Sequence, residues 1–406
     1  MALKTRTLKF RRTVNAPPAE VYRAFTNSTA LREWLCDSAQ ADPRKGGRLY
    51  VWWNSGYYAS GEFNALAPRK RIAFTWHGRG EPESTRVQVS LAEKNGSTLV
   101  TLAHSGIGSG KVWTKVTQAI LHGWQIALEN LQWVLETGQD LRLVRRPMLG
   151  ISIGDFNSKI AAKLGMPVTE GLRLDRVVDG KGAQAAGLQK DDVIVSLGGK
   201  RATTFSTLVT ALQGRRAGDK VKVVFYRGSE KKTVTMELSP RALPEVPATS
   251  AALADAVSKK YTEIDAEFVK CFQGVSEAEA DHAPAPGEWS AKEAVAHLIA
   301  TERENHAGIA DLINDDERWS DNSKNPTNVP ARIRATVRAF STVPALLEEL
   351  KRNEAETVAI LAALPSEFVA HKGTYWRLGY YLLQLPDHAR EHLAQMRAAI
   401  EAARKR

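Results

Sequence analysis

Two histidines near the end of the chain, His388 and His392, are four residues apart. On a helix this spacing places both side chains on one face, where two imidazole nitrogens can reach one metal ion at about 2.0–2.1 Å. A third histidine, His297, falls on another predicted helix, on the side away from its apolar stripe. That position argues against a core histidine and leaves two interpretations, a metal ligand and a solvated surface residue.

Two carboxylates, Glu293 and Glu304, share the predicted helix face of His297 and are therefore the candidate general bases. Glu391 lies between the other two histidines but points away from them. Because imidazole suits several divalent ions, the residue types alone do not select the metal.

The elements that must position these residues are helices, since apolar residues recur every three or four positions from residue 251 onward. Ser290 and Glu293 form a predicted capping box at the start of the helix that carries His297. We expect an all-α four-helix bundle. Its later helices are predicted over 331–353, 354–364 and 375–403, the last restarting at Pro386 with Asp387 as N-cap.

Length and composition exclude several classes of protein. The chain has 406 residues, of which 43% are hydrophobic and 25% charged, so we expect two or three globular domains rather than a disordered or membrane-embedded protein. Its two cysteines are too few for a disulfide framework and fit a reducing compartment. No apolar stretch approaches eighteen residues, and the basic start lacks an apolar signal region. A cytoplasmic protein without a membrane span or anchor is expected.

Composition shifts and prolines divide the chain into modules at residues 1–146, 147–240 and 251–406, with a proline-rich linker over 241–250. The net charge of +11 would alone suggest nucleic-acid binding. It separates into +10 over residues 1–146, +6 over 147–250 and −5 over 251–406. The basic residues are dispersed and no nucleic-acid-binding motif is visible, so we expect no nucleic-acid partner.

The first module combines short strand patterns over residues 13–100 with one long amphipathic helix over 111–137. Together with several short segments, this order resembles the START-like (SRPBCC) family that includes homologues of the activator of the heat-shock ATPase chaperone. The resemblance implies an α+β helix-grip fold, an apolar cavity between sheet and helix, and a chaperone as a partner. The segments are APPAEVY (16–22), LREW (31–34), GG (46–47), GE (61–62), FTW (74–76) and GW (123–124).

Aromatic side chains of this module have two interpretations. They line a pocket for a small hydrophobic ligand, or they fill a small core. Because adjacent strand residues face opposite ways, Trp52 and Trp53 cannot both line the pocket. The candidate pocket residues are Trp52, Tyr57, Tyr58, Trp76 and Trp124.

The middle module is similar to a PDZ domain of the bacterial arrangement, a mainly-β fold, through PMLGI (147–151), GAQAAGL (182–188), DDVI (191–194) and GDKV (218–221). Asp191 stands where that family usually has glycine, and aspartate tolerates the left-handed conformation this requires. The resemblance implies that a protein C-terminal tail adds as a strand, with its carboxylate near Gly150. The implied peptide-binding residues are Leu149, Gly150, Ile151, Leu208, Val209 and Leu212. No Gly-x-Ser-x-Gly motif occurs, so a serine protease is not expected.

The third module resembles the DinB/YfiT-like family through GEWSAKE (287–293), the following His297-Leu298, and DHAREHLAQ (387–395). The resemblance implies that His297, His388 and His392 form a facial site for zinc, nickel or a similar divalent ion, with open positions for water or a thiol. It also implies thiol-dependent S-transferase or isomerase chemistry, with a low-molecular-weight thiol as co-substrate.

Two functions therefore remain open. One is a metal-dependent thiol S-transferase or hydrolase in stress response or detoxification. The other is a non-enzymatic, stress-related adaptor of co-chaperone type, in which the metal is structural.

Overall fold

A computed structural model describes residues 5–318 and 326–405 of the chain. The chain divides into two compact units. The composite unit joins Met1–Asp140 to Pro244–Arg406, and the middle unit is Leu141–Leu243. The first and third modules of the sequence thus pack together, although the middle module separates them along the chain.

The N-terminal part of the composite unit is a seven-stranded antiparallel sheet with three helices. The strand order is β1-β7-β6-β5-β4-β3-β2, so every neighbour except the pair β1 and β7 is also adjacent in sequence. Strands are β1 (Arg6–Val14), β2 (Ser38–Ala41), β3 (Arg48–Trp52), β4 (Tyr58–Ala67), β5 (Arg71–Gly78), β6 (Thr85–Lys94) and β7 (Ser97–Ile107), and helices are α1 (Pro18–Thr26), α2 (Ser28–Trp34) and α3 (Lys111–Thr137).

The long helix α3 lies in the grip of this sheet, as the sequence predicted. Its buried residues Trp113, Ile120, Trp124 and Leu131 recur at helical spacing and join one core with the inward-facing side chains of the strands. The helix ends at Gly138, whose φ of +83° is the left-handed conformation that glycine adopts at little cost. The helix-grip prediction is confirmed.

The middle unit is mostly β, with the path β14-β13-β11-β10-β9 and β12 paired to β11. β9 therefore forms one end of the sheet. Asp191 has a φ of +67°, which agrees with the left-handed conformation predicted for it. Strands are β8 (Pro147–Met148), β9 (Ile151–Gly154), β10 (Leu172–Val177), β11 (Val193–Leu197), β12 (Lys200–Arg201), β13 (Lys220–Arg227), β14 (Glu230–Glu237) and β15 (Ser239–Pro240), and helices are α4 (Leu141–Val144), α5 (Ser158–Lys163), α6 (Gly182–Ala185) and α7 (Phe205–Leu212).

The C-terminal part of the composite unit is all helical, as expected. Its four long helices α8, α10, α12 and α15 pack around a common apolar core. The helices are α8 (Ser250–Phe272), α9 (Glu277–Asp281), α10 (Ala291–Ile313), a 3-10 turn (Pro326–Asn328), α11 (Pro330–Ala339), α12 (Val343–Ala362), α13 (Ser366–Ala370), α14 (Lys372–Leu382) and α15 (Leu385–Arg404).

Two helix boundaries predicted in this region are wrong. The helix predicted over 331–353 is divided, because α11 ends at Ala339 and α12 begins after Thr342. Thr342 caps α12 by accepting the amide N–H of Ala345, and a proline follows in the first turn. α12 then continues through Glu354, which was predicted to begin a helix and is instead buried inside one. Asp387 lies in the first turn of α15 but is not its N-cap, because the helix begins after Gln384.

A buried charge joins the sheet module to the helical bundle. The carboxylate of Glu33 on α2 has only 2% of its side chain exposed and lies 3.0 Å from the guanidinium of Arg23. Thr374 on α14 donates a hydrogen bond to Glu33, and Arg23 also pairs with Asp315, which follows α10. Arg23 and Glu33 therefore both bind residues of the bundle.

Close backbone approach completes this contact. A Cβ at Gly373 would lie 2.3 Å from a carboxylate oxygen of Glu33 and 2.7 Å from the side chain of Val134, so only glycine fits there. A second ion-pair chain runs from Arg32 through Glu317 to Arg377. Burial raises the pKa of Glu33, while Arg23 and the hydroxyl of Thr374 oppose that rise.

We predict that Arg23→Ala destabilises the composite unit by about 3–5 kcal/mol, because it leaves a buried carboxylate without its charge partner. Tryptophan fluorescence during denaturant unfolding reports on this unit alone, since residues 141–243 contain no tryptophan. The matched control is Arg44→Ala, whose ion pair with Asp42 is solvent-exposed and should contribute about 0–1 kcal/mol. Equal losses in the two variants would contradict the role given to Glu33.

Candidate metal centre

Three histidines converge between two helices of the bundle. His297 projects from α10, and His388 and His392 project from successive turns of α15. α10 is fixed at its start by the predicted capping box, in which Ser290 accepts the amide of Glu293 at 3.2 Å and Glu293 accepts that of Ser290 at 3.0 Å. The two helices pack against each other, which brings the three rings together.

The nitrogen separations suit one shared ion. Nε2 of His388 and Nε2 of His392 are 3.1 Å apart, and the ligand atoms of all three residues lie within 4.8 Å of one another. Two nitrogens that each bind one ion at 2.0–2.1 Å are at most about 4.2 Å apart. Small side-chain adjustments therefore close the group around an ion. Within residues 5–318 and 326–405, no carboxylate or thiol joins this group.

Two of the rings are oriented by contacts outside the group. Nδ1 of His297 lies 3.2 Å from the carbonyl oxygen of Thr327, and Nδ1 of His392 lies 3.0 Å from Oε1 of Gln395. Such partners fix the tautomer and ring orientation of metal-binding histidines. The indole of Trp289 packs on His297, with ring centroids 4.9 Å apart, and stacks on His392.

Burial lowers the pKa of all three histidines, and it lowers that of His297 to about 4. The imidazoles are therefore neutral at pH 7, which is the state that binds a metal. Three neutral nitrogens form a donor set that fits zinc, nickel and similar divalent ions.

His297 is 2% exposed, so the interpretation of this histidine as a solvated surface residue is wrong. The helix face that carries His297 lies opposite the apolar stripe of α10. His392 of α15 and the turn at Thr327 nevertheless cover this face. The expectation that His297 lies away from the core is therefore wrong, because helical periodicity could not show what covers this face.

The two candidate general bases lie outside the histidine group. Glu293 is engaged in the capping box at the start of α10. Glu304 forms ion pairs with Arg318 and Arg332. Sequence reasoning missed two buried carboxylates, Glu302 and Glu354. Glu302 accepts hydrogen bonds from Tyr261 and Thr357.

Three of the five candidate pocket residues in the sheet module come together. The rings of Trp76 and Trp124 are 5.6 Å apart, and Tyr57 reaches Trp76 through Trp53. Trp52 and Tyr58 are paired neighbours on β3 and β4. Trp52 faces away from the core, because the buried residues of β3 are Leu49 and Val51 and successive strand residues face opposite sides. Trp53, rather than Trp52, belongs to the ring cluster.

His104 is part of the same cluster, with its ring beside those of Trp76 and Trp124. Its Nδ1 accepts the indole N–H of Trp124 at 3.0 Å, so its Nε2 carries the proton and donates to Thr85 at 2.7 Å. Burial lowers its pKa to about 4. His104 is therefore a neutral core residue, and no spacing in the sequence could have indicated its two partners.

The candidate peptide-binding residues divide between core and surface. Leu149 and Leu208 are buried in the core of the middle unit, and Ile151, Val209 and Leu212 are partly exposed. Gly150 has a φ of +81° and lies directly before the end strand β9. Two apolar residues not predicted as part of this surface, Phe205 on α7 and Ile153 on β9, are exposed.

Three models of known protein families match the chain, one for each of the parts described above. The family model for activator of Hsp90 ATPase homolog 1-like proteins matches residues 15–136. The model for PDZ domains matches residues 147–238, and that for the DinB superfamily matches residues 261–396.

The chain carries these three domains in this order. The AHSA1-like domain is 26% identical over 125 residues to mouse activator of 90 kDa heat shock protein ATPase homolog 1, covering 30% of this chain and 35% of that protein. A serine protease Do-like HtrA of Lactococcus lactis is 35% identical over 101 residues, covering 24% of this chain and 25% of the protease. The chain spans only 22–28% of the length of the first three curated proteases that it matches.

Among solved structures, one from Chromobacterium violaceum is 27% identical and covers 32% of this chain and 95% of its own, with a TM-score of 0.28. Of the helices that the structure describes, none combines the length and the apolar character needed to cross a membrane.

The AHSA1-like domain should owe part of its pH dependence to His104. Its folded pKa near 4 is below the unfolded value of about 6.5, so the unfolded chain binds the proton more tightly. The contribution of neutral His104 to the folding stability is complete above pH 6.5 and is lost as the pH falls toward 4. We predict that the difference in unfolding free energy between the parent and His104→Gln shrinks by about 2–3 kcal/mol from pH 7.5 to pH 4.5. A difference that does not change with pH would contradict the neutral assignment.

Proposed function

We propose that the DinB domain binds one divalent metal ion through His297, His388 and His392, and that this centre carries a thiol-transfer or hydrolytic activity. The convergence of three imidazole ligand atoms within 4.8 Å supports the site. When bound, a divalent ion supplies Lewis-acid chemistry that lowers the pKa of a coordinated thiol or water. Zinc and nickel are the expected ions.

The protein's own contribution is to hold a neutral and oriented donor set. Burial keeps the imidazoles unprotonated at pH 7. The carbonyl of Thr327 and the amide of Gln395 fix two of the rings, and Trp289 shields the pair His297 and His392 with an apolar surface. Glu293 and Glu304 are engaged in the capping box and in ion pairs, so neither is placed to transfer a proton at the three histidines.

The reaction class follows from the DinB resemblance. A low-molecular-weight thiol is the proposed co-substrate, and a small electrophile encountered in stress or detoxification is the proposed substrate. The proposed environment is the reducing cytoplasm, in which such a thiol would be abundant.

The PDZ domain is proposed to bind a protein C-terminal tail. β9 lies at the end of the sheet, where an extended peptide can add as a further strand. Ile153, Val209 and Leu212 offer partly exposed apolar surface for the peptide side chains.

The second candidate function is a stress-related adaptor without catalytic activity. The match of residues 15–136 to activators of Hsp90 ATPase supports it, with a chaperone as the proposed partner. A small hydrophobic ligand of the AHSA1-like domain stays a prediction. Trp76 and Trp124 already pack on each other, so such a ligand would have to displace ring contacts.

Elemental analysis of the purified full chain tests the metal site. We expect about one divalent ion per chain in the parent and almost none in His388→Ala or His392→Ala, because two histidines rarely retain an ion that three hold. His306→Gln is the matched control, since His306 lies in the same bundle but bonds to Asn353 and Thr357. A parent protein that binds no added zinc or nickel would eliminate the enzymatic proposal.

If the ion is present, conjugation of small thiols to electrophiles separates the two candidate functions. Activity that disappears in His388→Ala favours the transferase. A metal-loaded protein without any activity across thiols and electrophiles favours the adaptor.

Peptide binding tests the PDZ proposal. A peptide with an apolar C-terminus should bind the full chain, and the same peptide with an amidated terminus should bind at least tenfold more weakly, because the carboxylate is lost. Gly150→Ala should also weaken binding, since φ is +81° and the new Cβ would lie 2.1 Å from Cβ of Lys181. Gly228→Ala is the control, with a φ of +57° but open space around it. Binding that ignores the terminal carboxylate would contradict the mechanism.

A further inference from the structure

A small cavity lies beside His388, between helices of the bundle. It has a volume of about 20 Å³, and its polar lining comes from Tyr261, Thr301, Glu302, Glu354 and His388. A water molecule requires about 10–15 Å³ and two to four polar partners. The cavity is therefore large enough and polar enough for one water.

Glu354 lines this cavity and has a carboxyl oxygen without a partner. Glu354 on α12 is 6% exposed, and its Oε2 has no hydrogen-bond partner among the described residues. An unpaired buried oxygen is costly, so native structures usually satisfy it with protein or water. Glu302 lines the same cavity, but its oxygens already accept hydrogen bonds from Tyr261 and Thr357. Glu354 is thus the acceptor that remains for a water.

His388 also lines the cavity, and it is the one histidine of the group for which the described residues offer no hydrogen-bond partner outside the group. Nε2 of His388 faces Nε2 of His392, and no described residue hydrogen-bonds its Nδ1. The other two histidines each have such a partner, Thr327 for His297 and Gln395 for His392. Ligating histidines almost always donate their second N–H to a carboxylate, a carbonyl or water.

We propose that Glu354 is the positioning residue for His388, accepting a hydrogen bond from a cavity water that in turn accepts the Nδ1–H of His388. This inference rests on the proposed metal site. It gives His388 a hydrogen-bond partner outside the histidine group, as His297 and His392 already have. Glu354 would thereby stabilise the tautomer of His388 that leaves Nε2 available to the ion.

The protonation of the neighbouring groups is consistent with this role. Burial raises the pKa of Glu354 to about 10, and the nearby acids Asp265 and Glu302 raise it further, while Lys351 opposes the rise. A neutral Glu354 donates its proton to Asp265, with which it shares a hydrogen bond, and keeps an oxygen as acceptor. Glutamine reproduces this pattern, because its amide N–H can donate to Asp265 and its carbonyl oxygen can accept from water.

Zinc affinity of the full chain, measured by competition with a chromophoric chelator, tests the proposal. Glu354→Leu should lower the affinity about 10- to 100-fold, the range seen when an outer contact of a metal ligand is removed. Glu354→Gln should stay within about threefold of the parent, and so should the control His306→Gln. The unfolding midpoint of each metal-free variant, followed by tryptophan fluorescence, shows whether the bundle is intact.

The possible results are distinct. Unchanged zinc affinity in Glu354→Leu, or equal losses in Glu354→Leu and His306→Gln, would overturn the role of Glu354 while leaving the metal site in place. A parent that binds no zinc would overturn both proposals. If Glu354→Leu does not fold, Ala389→Leu is the second variant, because Ala389 lines the cavity and a larger side chain expels the water. Parent-like zinc affinity in Ala389→Leu would then reject the proposal.

Discussion

Burial of the uncharged imidazole of His297, with His388 and His392 partly buried beside it, is the constraint on which the candidate centre depends. Water would stabilise the protonated form of each ring, and three charged rings at these separations would repel one another. Packing removes part of that water and lowers the pKa of each histidine, so the lone pairs remain available at neutral pH. Other contacts support this arrangement. The capping box fixes the start of α10, and the indole of Trp289 packs on two of the rings.

The helical bundle packs against the AHSA1-like domain. Glu33 of the AHSA1-like domain is buried against Arg23 and Thr374, and glycine at position 373 lets α14 approach it closely. A buried ion pair of this kind does not by itself add stability, but losing one partner is strongly destabilising. The two domains therefore form one compact unit although the PDZ domain lies between them in sequence. We expect this contact to couple the stability of the two domains, and it does not require that their functions be coupled.

The sequence predicted the elements whose periodicity is strong and whose ends carry clear signals. Helix α3 was predicted over the residues that form it, and Ser290 with Glu293 caps α10 as expected. The three histidines could be predicted as a group because two share a helix face and the third matches a family pattern. Two failures depend on tertiary contacts, since the burial of His297 and the paired state of Glu304 arise from neighbours distant in sequence. The cap at Thr342 is instead a local signal, a threonine followed by a proline in the first turn, which the prediction of one helix over 331–353 missed. The contact between Glu33 and Thr374 joins residues 341 positions apart and leaves no periodic signal.

The central claim is that one divalent ion is held by three histidines of the DinB domain. Anomalous diffraction at the zinc edge, from crystals of the full chain grown with zinc, tests it most directly. We predict one strong peak bonded to Nε2 of His388, Nε2 of His392 and a ring nitrogen of His297, at about 2.0–2.1 Å from each. A peak at other residues, or no peak at these histidines in zinc-soaked crystals, would contradict the claim.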